Sequence, residues 1–323
     1  LQDGLEGMGI ASTTTIIPAG ENSKSFGRLE QLCDWLLDEK IERDDCIIAL
    51  GGGVIGDLTG FAASMVRRGT RFIQIPTTLL AQVDSSIGGK TAINAAQGKT
   101  LIGAFFQPEL VLVDTQVLTT LPARELRAGY AEIVKYGALG NAAFFDWLEE
   151  NVEALHALKP AALEEAVERS AILHARHIAL GGDPFETGSS RPLDFGHWTA
   201  HKMEQLTDFE LSHADAVSVG VALDTLYSAR CGWLAEEDAW RAVGLLRGLQ
   251  LPVWHESLDL RDGEGRRLVY RGLEEFREHL GGELTVLMLE GVGQGVDRHS
   301  VDEALHEACI EELKTASHEG IPT

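Results

Sequence analysis

The chain is predicted to fold as an α/β half with a mainly parallel sheet over residues 1–119, followed by an all-helical half over 120–323. Three observations lead there. Short apolar runs (CIIAL, RFIQIP, LVLVD) alternate with helical patterns up to about residue 114, as in β-α-β units. After Leu121-Pro122 the pattern becomes helix after helix. The length of 323 residues is enough for about two separate cores.

Taken in order, Ile16-Ile17-Pro18 closes an apolar run after three threonines and predicts a first strand. A helix follows over 26–39, with Leu29, Leu32, Leu36 and Leu37 on one face. CIIAL is a short buried strand that runs into Gly51-Gly52-Gly53 and then the helical VIGDLTGFAASMV. A strand feeding a glycine turn and a helix N-terminus makes an anion cradle, because backbone N–H groups face the ligand and no Cβ blocks it. The spacing GGGVIGD is not the ordinary G-x-G-x-x-G fingerprint. RFIQIP is the next strand. A loop-rich segment follows it, carrying Asp84, Lys90 and Lys99 among glycines and hydroxyls, where lysines suit phosphate or carboxylate. LVLVD is a further strand.

In the second half, RELRAGYAEIVKYGAL reads as one helix with Glu132 and Lys135 on one face. Helices over 143–158 and 160–180 follow, the latter with Pro160 in its first turn. More helices run to about residue 249, then a short strand or loop over 284–293 and a terminal helix over 301–316. The boundary near 119–122 is a change of class, not a flexible linker, so a cleft between the halves is the expected site.

The stretch from Asp183 to Asp215 concentrates His197, His201 and His213 with several carboxylates. His197 and His201 are four apart and share a helix face, while His213 opens a separate apolar run. Two imidazoles from separate elements, joined by a carboxylate from elsewhere, make a divalent-metal site with open positions. The net charge of −23 argues against nucleic acid or anionic membrane as partner. An anionic small molecule must then be held by a few placed cations. Four scattered cysteines make no metal pair and no disulfide framework, which fits a reducing cytoplasm.

The runs ALGGGVIGDLTGFAASMVRRG, QIPTTLLAQVDSSIGGKTAIN, GKTLIGAFFQPELVLVD, LPARELRAGYAEIVKYG and FGH…H…SHADAV together resemble the dehydroquinate synthase family, within the sugar phosphate cyclases. The resemblance spans about residues 20–224 and weakens in the last quarter. It implies an NAD-binding α/β domain, a helical metal-binding domain and a homodimer. It also implies a lyase that oxidises a ring hydroxyl with NAD⁺, eliminates phosphate, reduces the ketone back and closes the product by an aldol reaction. On this resemblance the ligands of Zn²⁺ or Co²⁺ fall on Glu132, His197 and His213. NAD contacts fall on Glu21, Lys24, Gly52, Gly53, Asp57, Thr77, Thr78, Lys99 and Thr120. Asp84, Lys90 and Lys135 fall on cleft residues, His201 beside the leaving phosphate, and Arg68 on an arginine reaching the phosphate across the dimer interface. A family Lys before the Asp aligned with Asp183 becomes Arg176.

The substrate-carboxylate pattern R-x-x-x-N-F-G-H reads SRPLDFGH, so Ser190 stands in the arginine's place, Arg191 is one residue off and Asp194 replaces the asparagine. The C-terminal Asp-Lys-Lys run is replaced by FREHLGG, with Arg277 or His279 as substitutes. Such changes predict a C7 sugar phosphate without that carboxylate, for instance sedoheptulose 7-phosphate. The family's N-terminal strand–helix–strand is only partly visible, which predicts a shortened N-terminal region. Two other classes share these features: a metal-dependent alcohol or glycerol dehydrogenase, and a relative that binds without turnover.

Overall fold

The computed structural model describes residues 1–95, 98–180, 193–279 and 282–319. The chain divides into two compact units, one formed by Leu1–Thr77 with Gly88–Asp114 and the other by Thr78–Ile87 with Thr115–Thr323.

In the first unit, α1 (Gln2–Gly7) precedes α2 (Phe26–Asp38), and residues 10–18 form no strand where one was expected. Ser25 caps α2 by accepting the Arg28 N–H, and Leu29, Leu32 and Leu36 line its buried face. β1 (Cys46–Gly51) and β2 (Arg71–Pro76) pair in parallel, Cys46 opposite Arg71 through Gly51 opposite Pro76. Between them runs α3 (Gly53–Met65), the crossover a parallel pair requires. Small residues let α3 lie close to its neighbours: a Cβ on Gly60 would meet Thr91 Cγ2 at 2.4 Å. The segment expected to be loop-rich instead contains an antiparallel pair, β3 (Lys90–Ala95) with β4 (Gly98–Phe105). Alternating Thr and Ile residues supply the β-propensity that the glycines masked. β5 (Leu110–Val111) adds to β2 in parallel and is shorter than expected. The core holds Leu32, Leu36, Leu58, Phe61, Phe72 and Ile93.

The second unit is helical. Its helices are α4 (Ala123–Ala128), α5 (Tyr130–Gly140), α6 (Ala142–Glu150), α7 (Val152–His156) and α8 (Pro160–Leu180). They continue as α9 (His197–Leu206), α10 (His213–Arg230), α11 (Glu236–Gly248), α12 (Arg271–His279) and α13 (Glu303–Glu319). The stretch expected to be one helix from Arg124 is two, broken at Gly129, where a Cβ would lie 2.6 Å from Leu79 Cγ. A β-hairpin, β6 (Val286–Gly291) with β7 (Gln294–Arg298), interrupts the helices near the end. α5 is buried from Tyr130 to Leu139, and α10 from Ala216 to Ser228. Helices buried on nearly every side belong at the centre of a bundle, and these two form its axis. Among the described residues no helix is long and apolar enough to cross a membrane.

Candidate active site

The second unit brings Glu132, His197 and His213 together, with one potential ligand atom of each within 4.8 Å of the others. Each comes from a different helix: Glu132 from buried α5, and the two histidines from the first positions of α9 and α10. Glu132 is fully buried. Its Oε1 lies 3.4 Å from His197 Nε2 and 3.9 Å from His213 Nε2, while Lys135, one turn along α5, pairs with Oε2. Neither Glu132 oxygen receives a well-aligned hydrogen bond. A buried carboxylate in that condition, facing two imidazoles, is suited to a cation.

Both histidines are set to present Nε2. His197 Nδ1 lies 3.0 Å from the Phe195 carbonyl, which can only accept, so Nδ1 carries the proton. His213 Nδ1 lies 3.1 Å from Oε2 of Glu204, itself 1% exposed, with the same consequence. Carboxylate–histidine pairs of this kind fix ring orientation and raise ligand basicity. Burial pushes the Glu132 carboxyl up, but the Lys135 ammonium and the two imidazoles outweigh it and hold the group below the usual carboxylate range. A Glu-His-His set of this geometry fits Zn²⁺ or Co²⁺ with positions left open for oxygen ligands. His201 is exposed, 5.5 Å from His197 and 5.9 Å from His213 between ring centroids. With Glu204 and His213 it makes a second ligand-capable group.

The approach to α9 is held by buried contacts. Gly196 has φ +75°, and a Cβ on Gly220 of α10 would lie 1.9 Å from the Gly196 oxygen. Asp224, fully buried on α10, accepts the Gly196 N–H at 3.0 Å and the Trp198 Nε1–H at 3.3 Å, gripping the chain on both sides of His197. Burial pushes its carboxyl up to about 7, against those two donors. Lys135 Nζ donates to the Leu193 carbonyl at 2.7 Å, and the Asp194 carbonyl accepts the His197 N–H at 2.9 Å.

Asp84 sits on a π-helical turn, Ala81–Ser85, within the second unit. Tyr136 donates to its Oδ1 at 2.7 Å, and His174, buried on α8, lies 2.9 Å from the Tyr136 oxygen. Arg176 does not join them. It is exposed, because residues two apart on a helix point to opposite sides. Ser190, Arg191 and Asp183 lie outside the described residues, as does the His279 side chain; Arg277 is exposed. Thr120 is exposed and its hydroxyl donates to the Val117 carbonyl, while Thr78 Oγ1 accepts the Ala81 N–H.

In the first unit, Gly52 is the N-cap of α3, whose first turn has no side-chain cap. Lys24 donates to Asp57 at 2.6 Å and lies 3.6 Å from Glu21, which accepts from Asn94 at 2.8 Å. Burial lowers the Lys24 pKa, but Asp57 and Glu21 outweigh it and raise it. The Thr77 N–H joins the Gly51 carbonyl at 2.9 Å, tying β2 to the end of β1 beside Gly52 and Gly53. Lys90 is exposed at the start of β3, Lys99 half-buried on β4, and Arg68 exposed with φ +63°.

Sequence reasoning missed Glu204, Asp224, Tyr136 and His174. Glu204 could have been found, since His197, His201 and Glu204 recur on one helix face at spacings of four and three. His174 could not, because its partners Val83 and Tyr136 are 91 and 38 residues away.

Residues 14–128 match the family model for the 3-dehydroquinate synthase N-terminal domain, and 129–264 that for the 3-dehydroquinate synthase C-terminal domain. A 3-dehydroquinate synthase of Ruegeria pomeroyi is 46% identical over 300 residues, spanning 91% of this chain and 79% of that protein. Among solved structures, 2-epi-5-epi-valiolone synthase of Streptomyces hygroscopicus with NAD⁺ and Zn²⁺ bound superposes with a TM-score of 0.88 at 30% identity, over 96% of this chain and 85% of that one. A 2-deoxy-scyllo-inosose synthase complexed with carbaglucose-6-phosphate, NAD⁺ and Co²⁺ gives 0.77 at 26% identity, over 91% and 81%.

Proposed function

Since the chain belongs to the 3-dehydroquinate synthase family, we propose that it is an NAD- and metal-dependent sugar phosphate cyclase acting on a C7 ketose phosphate that lacks the dehydroquinate precursor's carboxylate. The observation that carries the substrate half of this reading is Asp194. It stands next to Leu193, whose carbonyl holds Lys135, and its own carbonyl holds the N–H of His197. A carboxylate side chain there replaces the family's amide and repels a substrate carboxylate, whereas hydroxyl groups can donate to it. Structural likeness to a valiolone synthase supports the same reading. The 46% identity to 3-dehydroquinate synthases favours the dehydroquinate precursor instead.

In this reading Glu132, His197 and His213 hold the metal, and Lys135 balances Glu132. Glu21, Lys24, Gly52, Gly53, Asp57, Thr77, Thr78, Lys99 and Thr120 serve NAD. Lys90, Arg68 and His201 serve the phosphate, and Asp84 faces substrate and cofactor. Arg191 and Asp194 read the end of the substrate remote from it. When bound, the metal supplies Lewis acidity and the dinucleotide a hydride acceptor. The active assembly is a homodimer. The test is to supply sedoheptulose 7-phosphate and the dehydroquinate precursor separately, with NAD⁺ and Zn²⁺, and to follow phosphate release and NADH absorbance. Phosphate release from the ketose without NADH accumulation is expected. Turnover of the dehydroquinate precursor alone would overturn the substrate assignment, and stoichiometric NADH would move the protein to the dehydrogenases.

A further inference from the structure

Three side chains from three elements of the second unit meet beside the metal set. They are Asp84 on the π-helical turn, Tyr136 on α5 and His174 on α8. His174 is 4% exposed. Its Nδ1 faces two oxygens, Tyr136 Oη at 2.9 Å and the Val83 carbonyl at 3.3 Å. A carbonyl can only accept, so Nδ1 carries a hydrogen. Tyr136 Oη must then accept from the imidazole, which leaves its single hydrogen for Asp84 Oδ1 at 2.7 Å. The direction of every bond in the chain is thus forced: His174 donates to Tyr136, and Tyr136 donates to Asp84. Burial pushes the His174 imidazole down, and Lys135 adds to this against the pull of Asp84, so the ring is neutral near pH 7. The Asp84 carboxylate is 3.6 Å from the same Nδ1, and the rings of Tyr136 and His174 are 5.3 Å apart. The turn that bears Asp84 is itself unusual, since short π-helical segments recur at functional sites.

We propose that Tyr136 and His174 are positioning residues for Asp84, a one-way donor relay that fixes the rotamer and acceptor character of that carboxylate. The proposal rests on the reading of Asp84 as a group facing substrate and cofactor. The relay accounts for a buried histidine on α8 that belongs to neither ligand-capable group found among the described residues. An apolar side chain would fill the same place without the two polar contacts. It also accounts for the presence of the Val83 carbonyl at Nδ1, which selects the tautomer.

The test uses the full-length protein loaded with Zn²⁺ and NAD⁺. Tyr136→Phe keeps the ring and removes the hydroxyl. His174→Gln keeps a side-chain donor of different reach. Both singles and the double variant are assayed with whichever sugar phosphate the wild type turns over. The expected result is a fall in kcat of roughly 10- to 100-fold in Tyr136→Phe, the loss of a hydrogen bond to a charged group, with KM changed less than about twofold. The double variant should be no worse than the poorer single, as for residues acting in one chain. Zn²⁺ affinity, read by competition with a chromophoric chelator, should stay within about twofold. Unchanged kcat in Tyr136→Phe, or additive losses in the double variant, would overturn the relay. A second readout needs no substrate. Nitrogen-15 histidine NMR of the wild type should show His174 neutral with the proton on Nδ1, and Tyr136→Phe should shift that signal. A wild type that turns over neither sugar phosphate defeats the functional reading alone. An Nε2-protonated or charged His174 defeats the relay alone.

Discussion

Asp224 shows what a single buried charge does at this site. Its carboxyl titrates near 7 because burial outweighs the Gly196 and Trp198 donors, so the folded state prefers the protonated form relative to the unfolded chain. The stability it contributes is therefore complete below pH ~4, the ordinary aspartate range, and is lost as pH rises through about 7. Asp224→Asn keeps the shape and abolishes that titration. The variant's stability relative to wild type should rise between pH 5 and pH 8 by something on the order of 2 kcal/mol, read from urea midpoints at the two values. A difference that does not vary with pH would mean that Asp224 titrates as an ordinary aspartate. Glu132 lies on the other side of the same balance. It is equally buried, yet the adjacent ammonium and imidazoles keep it ionised. Two equally buried carboxylates in one bundle are thus shifted in opposite directions, and the one held ionised is the one that faces the two imidazoles.

At the scale of elements, the site depends on how closely α10 approaches the turn into α9. Gly196 and Gly220 touch backbone to backbone, and no side chain fits between them. Gly220→Ala should push the start of α9 away, costing roughly 1–3 kcal/mol or more and weakening Zn²⁺ binding, measured by thermal unfolding and chelator competition on the same sample. Unaltered Zn²⁺ affinity would show that His197 is placed by something other than this contact. The helices that carry the site were legible in the sequence where local patterning decides them. Pro160 marks the start of α8, and the apolar run after Ser212 marks α10. Elements decided by tertiary packing were not. The β3–β4 pair lies among glycines, residues 10–18 form no strand despite their threonines, and α4 and α5 meet at Gly129, where Leu79 packs too close for a Cβ. The grouping of Glu132, His197 and His213 was legible through family motifs, whereas the Glu204 and Asp224 contacts beside the two histidines were not.

At the scale of the whole molecule, the cluster that could hold a metal, Glu132, His197 and His213, draws among the described residues on α5, α9 and α10, all of one unit. Chelation should therefore lower the unfolding midpoint of the helical unit alone. At a Zn²⁺ concentration 100 times its dissociation constant the difference is about 2.7 kcal/mol. For a unit of roughly 200 residues that corresponds to something like 5–10 °C. Scanning calorimetry with EDTA, then with Zn²⁺ restored, measures it, and a midpoint indifferent to both would remove the metal from this site. The surplus of 23 negative charges adds a second global constraint, since any anionic substrate must be drawn in by a small number of cations against a repulsive field.

The excursion of Thr78–Ile87 into the helical unit has a consequence for biogenesis. The polypeptide leaves its first compact unit after β2 and returns to it at β3, so the ten-residue detour must wait for a docking site that has not yet been synthesised. Val83 finds its α8 partner only 91 residues later. A ribosome moving at roughly 5–20 residues per second exposes that gap for several seconds. During this interval the α/β unit can close only around an unanchored insert. Splitting the gene at one point therefore cannot yield two self-sufficient halves, and complementation by fragments would require the insert to travel with the helical piece.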